Sequence, residues 1–137
     1  MSGHLIRLIV NSDFRRVFKA LFNRFGNVYG DAHIKENGNH LGIIVGEEFF
    51  FRVGSYVALI ILLEEIGESQ VKVDIISYAG GEGLLGISWG AHNKYSGNVV
   101  HFLKRRGFTF IKQAEIDYLD SSKLPSDVKE KLVRVMS

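Results

Sequence analysis

Four apolar segments in the middle of the chain most constrain its fold, because the connections between them are short. The segments span residues 41–45, 49–53, 56–63 and 70–78, and each contains branched or aromatic side chains. Glycine, serine and acidic residues separate them at 46–47, 54–55 and 64–69. Strands joined by so few residues run antiparallel, so the sequence predicts an antiparallel meander. Segment 56–63 is apolar on both faces, which predicts a strand in the interior of the sheet.

Two long helices are predicted on either side of this meander. A strand over residues 4–10 is followed by a helix over 13–25, whose buried face repeats at helical spacing. That face comprises Phe14, Val17, Phe18, Leu21, Phe22 and Phe25. The second helix covers residues 91–106, and glycines at 26 and 107 end the two helices. Weaker signals predict strands at 28–34 and 108–111.

A third helix is predicted near the end of the chain. It begins at the proline of residues 124–127, with Asp127 and Glu130 as a capping pair. The predicted fold class is therefore α+β: an antiparallel sheet of four to six strands with two main helices on one face. The core order is β-α-β-β-β-α, and a C-terminal helix follows. We expect one domain over residues 1–119, and a linker with a helical arm over 120–137.

Composition excludes several classes of site. The 137 residues contain no cysteine, which excludes disulfides, thiolate metal sites and cysteine nucleophiles. The longest uncharged apolar stretch is 57–63, too short to cross a bilayer. We expect a soluble, cytoplasmic protein that makes no membrane contact and needs no cofactor.

The small net charge of +2 conceals a segregation of charge along the chain. Segments 14–25 and 91–107 carry basic residues and no acidic ones, whereas acids outnumber bases by nine to three in 30–82. The pattern predicts either two solvated helix faces or one basic surface that meets a polyanion. The basic positions that would form such a surface are Arg15, Arg16, Lys19, Lys94, Lys104 and Arg105.

The glycine-rich segment 80–90 contains two overlapping motifs. Glycines at 81, 83 and 86 spell G-x-G-x-x-G, and residues 86–90 spell G-x-S-x-G around Ser88. A dinucleotide site needs a parallel βαβ unit, which an antiparallel meander does not provide. A hydrolase elbow needs an acid and then a histidine downstream, but His92 and His101 precede the nearest acids. We therefore predict that neither motif functions and that no catalytic residue lies here.

The histidines do not predict a metal site. The five histidines form no H-x-x-x-H or H-x-H spacing. His33 and His40 could face each other across a hairpin, but two ligands without a third do not make a site.

Part of the chain resembles known families. Residues 10–18, VNSDFRRVF, resemble the first strand and first helix of helix-grip domains of the START/Bet v 1 kind. The glycine segment with Trp89-Gly90-Ala91 is similar to that of small uncharacterised prokaryotic α+β families. The helix-grip resemblance implies an apolar ligand enclosed between the sheet and a terminal helix.

Three functional hypotheses follow. The leading one is a non-enzymatic binding or interaction module for a small apolar molecule, with a pocket at Trp89, Tyr95 and Phe102. The other apolar face of segment 56–63 must also be covered, either by the terminal helix or by a second copy of the chain, and the latter predicts a homodimer. The alternative is a nucleic-acid-binding protein that uses the basic faces of helices 13–25 and 91–106. An enzyme would instead require a polar cleft at 80–88.

Overall fold

The computed structural model describes residues 2–51, 54–79 and 91–137. Its strands are β1 (Ser2–Asn11), β2 (Tyr29–Ile34), β3 (His40–Phe50), β4 (Ser55–Gly67), β5 (Gln70–Ala79) and β6 (Thr109–Asp117). Its α-helices are α1 (Phe14–Phe25), α2 (Ala91–Arg105) and α3 (Ser126–Met136). The strands form one antiparallel sheet of six, in the order β2-β3-β4-β5-β1-β6. The predicted α+β class, the antiparallel sheet and the C-terminal helix are confirmed.

Helix α1 forms where its sequence pattern predicts it. The Asp13 side chain accepts a hydrogen bond from the backbone N–H of Arg16, which caps the helix, and Gly26 ends it. Val17 and Leu21 are fully buried. Phe18 and Phe22 lie at the margin of the packed surface, where Phe22 is 38% exposed. The predicted apolar face is therefore the packing face, and its aromatic edge remains accessible.

Helices α1 and α2 cover one face of the sheet, which we call the helix face. Side chains alternate along each strand, so every second residue of β1, β4 and β5 points toward these helices. The core comprises side chains such as Leu8, Leu59 and Ile75 together with Leu21 and Leu103 from the helices, all fully buried. We call the opposite side of the sheet the second face.

Strand β3 corrects one prediction. Residues 46–47 were expected to form a turn between two strands, but β3 continues unbroken through them. Gly46 is needed there because a β-carbon at this position would collide with the carbonyl oxygen of Phe25 at the end of α1. The chain reverses later, where Gly54 has a φ of 61°. The glycine at 46 thus permits close helix–sheet packing and does not mark a turn.

Strand β6, at the edge of the sheet, is longer than the sequence indicates. A short strand was predicted at 108–111, but β6 continues to Asp117 and pairs with β1 along most of its length. Strand β4 lies inside the sheet between β3 and β5, as predicted. None of the helices in the described part of the chain combines the length and apolar character needed to span a membrane.

Helix α3 lies at the second face and contributes no buried residue. Its cap differs from the prediction, because Pro125 occupies the N-cap position and no side chain caps the helix. Asp127 instead contacts Arg7 of β1 at 2.8 Å. The residue expected to cap α3 therefore attaches it to the sheet.

Candidate functional site

A groove lies on the second face, between the sheet and α3. Its volume is about 450 Å³, which is within the range of small-molecule sites. Five apolar residues line the groove: Leu41, Ile43, Leu62, Leu63 and Val128. The other residues that line it are mainly polar. These polar residues are Arg7, Asp31, His33, Glu64, Lys72 and Asp74, with Lys131 contributed by α3. Hence the groove has an apolar floor with charges of both signs around it.

A network of ion pairs holds the charged end of the groove together. Arg7 donates two hydrogen bonds to the Asp74 carboxylate, at 2.7 and 2.9 Å, and a third to Asp127 at 2.8 Å. Lys72 lies 3.1 Å from Glu64 and 3.6 Å from Asp127, between the sheet and α3. Arg7 and Asp74 are only 5% and 8% exposed, so their pairing offsets the cost of burying two charges.

The network shifts the pKa values of Arg7, Glu64 and Asp127 in favour of their charged forms. The hydrogen bond to Asp74 raises the pKa of Arg7 above its usual range, despite the opposing effect of burial. The hydrogen bond from Arg7 lowers the pKa of Asp127. Burial works to raise the pKa of Glu64, but hydrogen bonds from Lys35 and Lys72 outweigh it, and the net shift is downward. Arg7, Glu64 and Asp127 therefore stay charged at neutral pH.

Asp74 is buried although it places a charge in the middle of β5. It lies opposite Arg7 in the pairing of β5 with β1. The sequence contained a usable signal, since both residues interrupt apolar strand segments. A charge in such a segment needs a partner of opposite charge.

A second polar cluster runs from the core to the β6 edge on the helix face. Ser77 and Ser96 contact each other through their hydroxyls at 2.6 Å, and Ser96 Oγ lies 2.9 Å from His4 Nδ1. The other ring nitrogen of His4 lies 2.8 Å from Glu115 and 3.3 Å from Asp117. His4 and both serines are almost fully buried, and the His4 ring lies between a serine hydroxyl and two carboxylates.

This cluster includes the donors that could hold a metal ion in the described part of the chain. The donor atoms of His4, Glu115 and Asp117 lie within 4.8 Å of one another. Lys112 occupies the second oxygen of Glu115 at 2.6 Å, and its hydrogen bond lowers the pKa of that carboxyl. Sequence spacing missed the cluster because pairing of β1 with β6 brings together residues more than a hundred positions apart.

Two of the three predicted ligand residues, Tyr95 and Phe102, lie on the helix face. Tyr95 and Phe102 are buried in the core, where their rings contact the ring of Phe25 at centroid distances of 6.3 and 5.4 Å. Burial raises the pKa of Tyr95 to about 12, so its hydroxyl stays protonated. Trp89 lies outside the described residues, as do both glycine motifs of residues 80–90. The prediction of a pocket at these three residues remains a prediction.

The basic residues predicted to meet a nucleic acid are exposed where the structure describes their side chains, and only some of them line a common cleft. Arg15, Arg16 and Lys19 are exposed on α1, and Lys104 and Arg105 are exposed at the end of α2. Lys94 belongs to α2, but its side chain lies outside the described residues. Arg16 and Lys19 border a cleft with Arg106, whereas Arg15, Lys104 and Arg105 do not line it.

The two histidines expected to face each other lie on opposite faces of the sheet. His33 pairs with Leu41, and Ile34 pairs with His40. The one-residue offset points the two imidazoles in opposite directions. His40 instead contacts Glu65 at 2.9 Å, and hydrogen bonds from His40 lower the pKa of that carboxyl.

Comparison with known proteins gives no family to which the site can be referred. No protein-family model matches the chain, and no curated protein matches it significantly.

Proposed function

We propose that this protein is a binding module that holds a small, mainly apolar molecule in the groove between the second face and α3. The observation that carries the proposal is the apolar floor of the groove, about 450 Å³ in volume, beside a charged end where Arg7 pairs with Asp74 and Asp127. A ligand gains free energy by covering Leu41, Ile43 and Leu62. It does not need to neutralise Arg7, because that residue already pairs with Asp74 and Asp127.

Helix α3 supplies the movable wall of this site. Val128 and Lys131 lie on one side of α3, three residues apart, and both line the groove. No residue of α3 is buried, and the Asp127 carboxylate links it to Arg7 and Lys72. A wall attached mainly through charges can separate from the sheet to admit a ligand without disrupting the core.

A neutral fluorescent probe tests the proposal on the full chain. N-phenyl-1-naphthylamine should bind saturably, with enhanced emission, because its rings leave water for the apolar floor. Leu62→Glu places a charge on that floor and should abolish the signal. The matched control is Ile111→Glu, which puts the same charge on β6 at a position that is 63% exposed and does not line the groove.

The control variant should bind the probe as the natural chain does. An absence of saturable binding would contradict the proposal, and so would equal losses in the two variants. Circular dichroism of each variant checks that the fold is intact.

A second copy of the chain is the partner that this proposal favours. Phe49, Phe51 and Tyr56 form an exposed aromatic patch beyond the groove, with ring centroids 5.0 to 5.2 Å apart. Phe51 is 90% exposed, and apolar patches of this kind mark association surfaces. Light scattering should detect a dimer that Phe51→Ser weakens, and a monomer at all concentrations would contradict this part of the proposal.

Nucleic-acid binding is less favoured as a function. The exposed cations of α1 and α2 would have to contact the phosphates of the nucleic acid. Sequence-tolerant binding of single-stranded nucleic acid also uses exposed aromatic rings, on which the bases stack. Phe102 and Phe108 are buried beneath the arginines instead. Fluorescence anisotropy with mixed-sequence DNA and RNA at physiological salt should therefore detect no tight complex.

A further inference from the structure

A small cleft lies beside α1, on the side of the protein that the helices cover, and unlike the groove it is lined by cations without acids. We call it the basic cleft, and its volume is about 230 Å³. Its lining residues are Arg16, Lys19, Ala20 and Asn23 from α1, with Arg106 and Phe108 from the connection between α2 and β6. The α1 residues follow the spacing i, i+3, i+4, i+7, so they form one stripe of the helix.

The cations of the basic cleft have no acidic partner in the part of the chain that the structure describes. No acidic side chain lines the cleft, and none of the ion pairs among the described residues includes Arg16, Lys19 or Arg106. The strand cations Arg7 and Lys72 on the second face, by contrast, are both paired. Three like charges around one small space raise each other's free energy, which an anion between them would lower.

Buried aromatic rings hold the two guanidinium groups in place. The Arg16 guanidinium carbon lies 4.6 Å from the ring centre of Phe108, and that of Arg106 lies 5.5 Å from the ring centre of Phe102. Phe108 and Phe102 are only 6% and 7% exposed, so the rings are fixed parts of the core. Arginines held over such rings lose less side-chain freedom when they bind an anion.

The donors of the basic cleft suit a phosphoryl group. Guanidinium groups donate pairs of parallel N–H bonds to phosphate oxygens, while the Lys19 ammonium and the Asn23 amide add further donors. The volume is below the range of drug-sized ligands, so it fits a charged group better than a whole molecule.

We propose that the basic cleft binds a phosphoryl group through Arg16, Lys19, Asn23 and Arg106. The group can belong to a free phosphate compound or to a nucleic-acid backbone, which present the same chemistry. The basic cleft is on the opposite side of the sheet from the groove, so this proposal does not depend on the function proposed above.

Titration of the full chain with inorganic phosphate at constant ionic strength tests the proposal. Amide and side-chain NMR signals of Arg16, Lys19 and Asn23 should shift and saturate, whereas chloride should leave them unchanged. Arg16→Gln and Arg106→Gln should each weaken binding at least about tenfold, because hydrogen bonds to charged groups contribute more than 1.4 kcal/mol. Arg16→Lys keeps the positive charge but loses the paired N–H donors of the guanidinium and its contact with the Phe108 ring. This variant should bind phosphate with intermediate affinity.

The matched controls are Arg15→Gln and Arg105→Gln, which remove the neighbouring exposed cations that do not line the cleft. They should bind phosphate within about twofold of the natural chain, because their charges are screened by solvent. Equal losses in the cleft variants and the controls would overturn the proposal, and so would an absence of saturable shifts with phosphate.

A short single-stranded oligonucleotide forms a separate arm that identifies the source of the phosphate. If Arg16→Gln abolishes oligonucleotide binding and Arg15→Gln preserves it, the result supports the proposal and identifies a nucleic-acid backbone as the source of the phosphoryl group. Phosphate binding alone would support it with a small-molecule source. Oligonucleotide binding that needs Arg15 and Arg105 as much as Arg16 would overturn the proposal.

Discussion

The two faces of the sheet differ in how fully helices cover them, although the same alternating strands form both faces. Under α1 and α2 most strand side chains are apolar and fully buried, as at Leu59 and Ile61 of β4, although the polar side chains of His4 and Ser77 are also buried there. On the second face the neighbouring Leu62 is 39% exposed, and buried charges such as Arg7 and Asp74 lie among apolar residues. The helix face therefore holds the fully buried apolar core, and part of the second face stays exposed.

The largest expected effect comes from the buried charge pair of the second face. Arg7→Met removes the partner of Asp74 and leaves a buried carboxylate, which should cost about 3–5 kcal/mol of unfolding free energy. Lys35→Met breaks the half-exposed contact with Glu64 and should cost less than about 1 kcal/mol. Urea denaturation measures both. Equal small costs would contradict the view that Arg7 and Asp74 act as a buried pair.

A matched pair of leucines on β4 compares the two faces directly. Leu59→Ala on the helix face should cost about 2–5 kcal/mol, because it leaves a cavity in a fully buried site. Leu62→Ala on the second face should cost about 1 kcal/mol, because the side chain is already partly solvated. Similar costs for the two variants would show that the second face is covered in solution, as a dimer interface would require.

A smaller effect is expected at the attachment of α3. Asp127→Asn weakens the contacts with Arg7 and Lys72 while the sheet stays folded, so global stability should change by about 1 kcal/mol or less. Amide hydrogen exchange should become faster in α3 and remain unchanged in β4 and β5. Unchanged exchange in α3 would contradict the role assigned to Asp127.

The same attachment should depend on pH. The pKa of Asp127 is lower in the folded protein than in the unfolded chain, so its contribution is complete above the usual aspartate pKa of about 3.9. The contribution is lost as pH falls through the lowered value. NMR signals of α3 should therefore shift in acid before those of the core strands, and this early step should be absent in Asp127→Asn.

Local sequence pattern was enough to predict much of the helix face. The buried stripe of α1 repeats at helical spacing, and the short connections dictate antiparallel pairing. Gly46 was misread because glycine marks turns more often than it marks close helix packing. The length of β6 was underestimated because its stability comes from pairing with β1, which residues 108–111 alone do not reveal.

The candidate sites were harder to predict because distant pairings create them. Arg7 and Asp74 meet through β1–β5 pairing, and His4 meets Glu115 through β1–β6 pairing. The interrupted apolar segments indicate that Arg7 and Asp74 need partners but do not identify those partners. The sequence around Asp127 fits a capping pattern, although Asp127 in fact pairs with Arg7. Only the position of α3 beside Arg7 shows this.

The most direct test of the central claim is a map of where an apolar probe contacts the protein. Methyl NMR spectra of the full chain, recorded during titration with N-phenyl-1-naphthylamine, report each leucine, isoleucine and valine separately. Binding in the groove predicts saturable shifts at Leu41, Ile43, Leu62 and Val128, which line it. Shifts confined to Val99 and Leu103 of the α2 core, or no saturable shifts, would contradict the assignment of the groove as the binding site.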